Sequence, residues 1–422
     1  MDVPGPRITE SLAALRERYQ AFVDKKLKLD MTRGKPSGEQ LDLAAGLFDT
    51  VTGGGYKSED GTDTRNYGGL EGLAEARRLF AGIFRVDPSE VLIGGNSSLQ
   101  LMFDTLMRAH VFGVPGGSEP WHKHHVKWLC PAPGYDRHFA ITQHLGYELV
   151  TVPLTGDGPD MDVVERLVAD DAQVKGMWLV PTYNNPTGES VSEANALRLA
   201  RMKTAAPDFR IMWDDAYVVH HLHDDPADQD AVPPILEACK AAGHPDRVFV
   251  FGSTSKITHA GAGLSALAAS DVNVAWTKRH ASKQTIGPDK VNQLRHVRFF
   301  GDRAGLEAHM RRHAALLRPR FAAVLDTLEA ELGGSGLATW TRPRGGYFVS
   351  VDVLPGNARR VVELAAQAGV KLTEAGATFP HGRDPADKNI RIAPSFPSVH
   401  ELELATRVFA TAIKLAWLAP LD

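Results

Sequence analysis

From Val126 onward, short apolar runs bounded by glycine, proline and polar clusters alternate with stretches whose apolar residues recur every three or four positions. The runs predict strands at Val126–Cys130, Glu148–Val152, Met177–Val180, Arg210–Trp213, Val248–Phe251 and Leu264–Ala269. The intervening periodic stretches predict helices at Tyr135–Leu145, Met161–Ala169 and Glu193–Thr204. Strands separated by helices imply βαβ units and a mostly parallel sheet. In such sheets ligands sit beyond the carboxyl ends of the strands. Upstream, Thr9–Leu29 reads as a helix with Leu12, Leu15, Tyr19, Phe22 and Val23 on one stripe, and Gly34 and Pro36 break the next stretch into a loop. A helix ends near Phe84, Val91–Ile93 is a short strand, and Leu99–His110 is helical. Downstream come helices at Val272–Gln284 and Asp302–Leu332, the second with Pro319 as a point of kinking. Strands at Leu337–Thr341 and Tyr347–Val351, a helix at Ala358–Ala368, short strands near Val370 and Ile390 and a helix at Val399–Leu415 complete the chain. The expected fold is therefore α/β: a large domain over 48–298 built on a mostly parallel sheet flanked by helices, and a smaller α+β domain from 1–47 and 299–422.

Composition narrows this little. A chain of 422 residues suggests two domains, and 43% hydrophobic with 23% charged residues is ordinary for a soluble protein. A net charge of −4 without dense basic runs gives no reason to expect nucleic-acid binding. The start lacks the apolar core of a signal peptide, and no apolar run reaches membrane-spanning length, so a cytoplasmic location is the expectation. Two cysteines, Cys130 and Cys239, are too few for a disulfide framework or a zinc site. The histidine clusters at His122–His125 and His220–His223 have no recognised ligand spacing, and no metal is expected.

Candidate chemistry concentrates around Arg247–Ser270. The strand Val248–Phe251 ends in Gly252, and Ser253-Thr254-Ser255-Lys256 places a lysine among small hydroxyl residues. A lysine at a strand terminus with small neighbours suits a Schiff-base nucleophile; an isolated motif of this kind equally describes a surface lysine. Asn185 and Asp214 also lie at or just after predicted strand ends, so one mouth gathers them with Lys256. Gly94-Gly95-Asn96-Ser97-Ser98 leads from a strand into a helix, which describes either an anion cradle or a plain serine cap. Arg33 and Lys35 flank Gly34, in a loop that fits an acidic ligand as well as a solvated turn. Gly53-Gly54-Gly55 has neither the preceding strand nor the following Gly-Lys-Ser of a phosphate loop.

Taken together, Asn185-Pro186-Thr187-Gly188, Asp214-Asp215-Ala216-Tyr217, Ser253-Thr254-Ser255-Lys256 and Asn389-Ile390-Arg391 resemble fold-type I pyridoxal-phosphate aminotransferases, the aspartate aminotransferase superfamily. The resemblance runs from Gly34 to Arg391, and is nearest to a divergent bacterial subgroup of aspartate or MocR-like aminotransferases. It implies pyridoxal 5'-phosphate as cofactor, with Lys256 joined to its aldehyde and later shuttling the substrate proton. It implies Asp214 at the pyridine nitrogen, Tyr217 and Asn185 at the ring hydroxyl, and Tyr135 on the ring face. Asn96, Ser97, Ser98, Ser253 and Ser255 would hold the phosphate, with Tyr67 reaching in from the neighbouring subunit of a homodimer. Arg391 would clamp the substrate α-carboxylate, and Gly34 would close over it.

One departure stands out. Relatives usually carry an arginine seven or eight residues after the lysine, where this chain has Gly263 and Leu264. The resemblance implies transfer of an amino group between an amino acid, aspartate by preference, and a 2-oxo acid, with 2-oxoglutarate as the shared acceptor. A dicarboxylic substrate needs a second cation, and Arg33, Lys35, Lys283 and Arg295 are candidates. The competing readings are a lyase or decarboxylase on the same cofactor, and an effector-binding domain like that of MocR-type regulators. Such regulators place a winged DNA-binding module first, and only about thirty residues precede the Gly34 loop.

Overall fold

The strands that position the site form one seven-stranded sheet in a computed structural model that describes residues 7–418. In chain order they are β1 (Val91–Ile93), β2 (Lys127–Ala132), β3 (Glu148–Pro153), β4 (Val174–Leu179), β5 (Arg210–Asp214), β6 (Val248–Ser253) and β7 (Ser265–Ala269). Their spatial order is β1-β7-β6-β5-β4-β2-β3, and β7 alone runs antiparallel to its neighbours. The central strands are buried on both faces, which is why they read as apolar runs rather than alternations. Side chains still alternate by face. Val248, Val250, Ile211 and Trp213 join an apolar cluster on one side of the sheet. Phe249, Phe251 and Met212 join another on the opposite side, with Trp128, Trp178 and Trp276.

A third apolar cluster lies under the long helix Arg303–Leu332 and the helix Val399–Leu418. It takes in Leu15 and Phe22 of the helix Leu12–Asp24 and the inner face of a three-stranded antiparallel sheet, β8 (Ala338–Trp340), β9 (Val349–Val353) and β10 (Asn389–Ile392). The first six and last four residues, which the expected smaller domain includes, lie outside the described residues. No helix among the described residues is long and apolar enough to cross a membrane.

Several elements differ from expectation for physical reasons. The first helix spans Leu12–Asp24 rather than Thr9–Leu29, and Leu29–Asp30, expected where that helix passes into a loop, is a two-residue strand parallel to Val370–Lys371, a pairing across the chain that leaves no local signal. The helix Lys290–Phe300, capped by Asp289, is absent from the periodicity because its buried face carries Gln293 and His296 beside Leu294. The helix Ile235–Ala241 is a seven-residue piece. The long helix continues through Pro319 without interruption.

Candidate functional site

Four carboxyl ends of the large sheet converge on one mouth. Beyond β2 lies Tyr135, beyond β4 Asn185, at the end of β5 Asp214, and beyond β6 Lys256. Lys256 keeps some solvent access although protein atoms surround it, and its Nζ stands 5.0 Å from the Tyr217 ring centre. Burial lowers its pKa, opposed by the nearby Asp214 carboxylate. The amine is thereby brought nearer to the neutral, nucleophilic form.

Asp214 is buried and bound on one side only. Its Oδ2 accepts a hydrogen bond of 2.9 Å from His138 Nε2, while Oδ1 has no partner among the described residues. A buried carboxylate oxygen without a donor is costly, so Oδ1 is an open acceptor for a ligand N–H. His138 is itself fixed, its ring stacked 4.3 Å from Trp178. Sequence reasoning missed it. The available signal was its place one turn after Tyr135 on a predicted helix, where side chains share a face. Burial, followed by the charge of Asp214, pushes the Tyr135 hydroxyl up to about 12. Burial, then Tyr135 and Asp214, raises Tyr217 well above its ordinary value, so both stay protonated donors.

Arg391, on β10, reaches the same mouth from the smaller sheet. Its Nη1 donates to Asp136 Oδ1 at 2.9 Å and to Asn185 Oδ1 at 3.2 Å. Its guanidinium lies 5.1 Å from the Phe348 ring centre, and Nε is buried without a partner among the described residues. One corner of the fork is thus pinned while Nε remains unpaired, an arrangement suited to a carboxylate. Gly34 packs against the other part of Phe348: a Cβ at this position would lie 2.1 Å from Phe348 Cζ. Only a residue without a side chain lets this loop close there. Ser395 Oγ, donating to the carbonyls of Arg33 and Lys35, ties the loop to the segment after β10. Asp136 and Phe348 were not legible as site residues from sequence.

The turn after β1 approaches the lysine loop. Ser255 Oγ donates to the Asn96 carbonyl at 2.9 Å, and Ser253 Oγ donates to Ser255 Oγ at 2.9 Å. The helix Ser98–Phe112 begins at Ser97 without a side-chain cap, so its first N–H groups and dipole are free for an anion. The two positions where an arginine is expected are closely packed. A Cβ on Gly263 would stand 3.1 Å from both the Asn96 carbonyl and the Ser255 nitrogen, and Leu264 is buried with its N–H donating to Thr254 Oγ1.

The other expected residues have the following surroundings. Tyr67 is 84% exposed. Arg33 pairs with Asp30, Lys35 lies over the Phe396 ring, Lys283 is exposed and Arg295 lies over Phe48. Among the described residues no group of His, Cys, Asp or Glu has a metal-holding arrangement. His122 and His125 serve surface contacts, whereas His220 lies behind Lys256.

The chain as a whole resembles known proteins in sequence and in fold. The family model described as aspartate amino-transferase matches residues 6–420. A Mycolicibacterium smegmatis protein with a provisional aminotransferase name is 52% identical over 407 residues, covering 95% of this chain and 94% of its own. An aspartate aminotransferase of Corynebacterium glutamicum is 51% identical over 403 residues, covering 95% and 92%. The crystal structure of a C. glutamicum aspartate transaminase superposes with a TM-score of 0.93 at 51% identity, over 95% of this chain and 94% of that one.

Proposed function

The chain belongs to the aspartate aminotransferase family of pyridoxal-phosphate-dependent transaminases, and we propose that it exchanges the amino group of aspartate with 2-oxoglutarate, as a cytoplasmic homodimer. What carries this reading is the unpartnered Oδ1 of Asp214 near the Lys256 amine, with Arg391 offering an unpaired Nε at the rim of the mouth. These residues fit the cofactor. Lys256 would hold its aldehyde carbon, Asp214 Oδ1 its ring nitrogen, and Tyr217 and Asn185 its ring hydroxyl. Tyr135 would cover the ring, and Asn96, Ser97, Ser98, Ser253 and Ser255 its phosphate, joined by Tyr67 of a second copy. When bound, the cofactor supplies an electron sink for charge developing at the substrate α-carbon.

The chain's own groups do the rest. Arg391 takes the substrate α-carboxylate side-on, held in place by Asn185, Asp136 and the Phe348 face. Lys256 Nζ, its proton affinity lowered by burial, takes the proton from the α-carbon and returns one as the exchange runs the other way. Asp214 supplies negative charge opposite, and His138 holds that carboxylate in one orientation. The Gly34 loop, tied to Ser395, covers the carboxylate and limits water. For the second carboxylate of aspartate, Arg33 and Lys35 flank this loop, and Lys283 or Arg295 would act from the other copy.

The division into a domain over 48–298 and another from 1–47 and 299–422 is part of this reading, supported by the separate apolar cluster under the long helix. The test is conversion of aspartate plus 2-oxoglutarate to oxaloacetate plus glutamate by purified, cofactor-loaded protein. Turnover with alanine or aromatic donors but not aspartate would remove the aspartate assignment. Release of pyruvate and ammonia from a donor with a β leaving group such as serine, without formation of glutamate, would replace transfer by elimination.

A further inference from the structure

Behind Lys256 lies a buried polar network for which transfer chemistry has no direct use. The lysine sits in a turn after β6, where neither sheet nor helix holds its carbonyl. Two side chains from different elements do so instead. Tyr347 Oη donates to Lys256 O at 3.2 Å, and His220 Nε2 donates to the same oxygen at 3.4 Å. One residue on, His309 Nε2 donates to Ile257 O at 2.7 Å.

Tyr347 and His309 are themselves oriented, whereas His220 Nδ1 is buried with no hydrogen-bond partner among the described residues. Gln40 Nε2 donates to Tyr347 Oη at 3.0 Å and lies 3.1 Å from His313 Nδ1, while Gln40 Oε1 accepts from the Ser37 N–H. Arg312 donates to His309 Nδ1 at 2.8 Å, which leaves the proton of that ring on Nε2, facing Ile257 O. His296 closes the loop from the other side, 3.0 Å from the hydroxyls of Thr254 and Thr258. Burial drives His220 and His309 below the ordinary histidine value and takes His313 to about 3 and His296 to about 4. The clamp therefore consists of neutral donors, which hold the lysine main chain without adding a cation beside its amine.

Building on the assignment of Lys256 above, we propose that His220 and Tyr347 are positioning residues for the lysine: by fixing its carbonyl they set the direction in which its side chain leaves the backbone. A flexible four-carbon side chain delivers a proton well only if its root is fixed, and misplacement by about 1 Å is enough to slow a reaction severely.

The test compares holoenzymes carrying His220→Leu, His220→Gln and Tyr347→Phe by steady-state kinetics and by visible circular dichroism of the bound cofactor. His220→Leu and Tyr347→Phe are expected to lower kcat about tenfold, leave KM for the amino donor within about twofold, and weaken the dichroic band. Glutamine, whose amide nitrogen takes the place of Nε2, is expected to recover both kcat and dichroism to within about twofold of wild type. Equal losses for leucine and glutamine, or unchanged kcat and dichroism in Tyr347→Phe, would overturn the proposal. Should His220→Leu fail to fold, Tyr347→Phe, which removes one oxygen, decides alone. A Lys256→Ala protein that keeps the dichroic band would instead refute the assignment of the lysine, whatever the other variants do.

Discussion

A single guanidinium illustrates how the site works residue by residue. Arg391 gives one nitrogen to Asp136 and Asn185 and keeps Nε unpaired, so its value lies in the planar fork as well as the charge. Lysine in its place keeps the charge and loses the fork. Arg391→Lys is expected to raise KM for amino donors by roughly 100-fold with a smaller change in kcat, measured in steady state. An unchanged KM would mean that the carboxylate binds elsewhere. Among single residues the sequence was informative wherever a residue type is tied to its chemistry: Lys256, Asp214, Tyr217 and Arg391 all lie around one mouth. It was silent on His138, Asp136 and Phe348, whose importance comes from what they touch across 76, 255 and other large separations in the chain.

The end of β5 carries a tension that belongs to the element. Asp214 and Asp215 are consecutive and buried, and burial pushes the Asp215 carboxyl up to about 7, with Asp214 adding to the effect and Thr182 and Arg85 opposing it. Its pKa is higher folded than unfolded, so the native state binds this proton more tightly. The associated stability is complete below the ordinary carboxylate range and is lost as pH rises from about 4 to about 7. Asp215→Asn keeps an acceptor for the Thr182 hydroxyl, which lies 2.8 Å away, and removes that loss. The variant is expected to be more stable than wild type at pH 8 by roughly 2–4 kcal/mol and nearly equal to it at pH 4.5, read from urea unfolding. A constant difference across pH would contradict this origin. Elements built from apolar runs were legible, because burial on both sheet faces writes itself as an uninterrupted run. The Lys290–Phe300 helix was not, because it buries polar side chains, and the Leu29–Asp30 strand was not, because its partner lies more than three hundred residues away.

For the whole molecule, Tyr67, Phe112 and Ile286 are exposed apolar side chains, and the proposed dimer gives Tyr67 a task in the partner's site. If Tyr67 serves the site of the other copy, two defective chains can repair each other. Lys256→Ala and Tyr67→Ala proteins, each inactive or weak, are expected on unfolding and joint refolding to regain about a quarter of wild-type activity. That is the yield of one intact site in half of the dimers. Absence of recovery, with dimers verified by sedimentation, would place Tyr67 in its own chain's site or in none.

Everything proposed for this site depends on which amine holds the cofactor, and borohydride reduction of the loaded protein followed by peptide mass mapping reads that out. Reduction makes the lysine–cofactor link permanent. The expected result is the cofactor's mass on the peptide containing Lys256 and on no other. Attachment to a different lysine, or to none, would contradict the assignment.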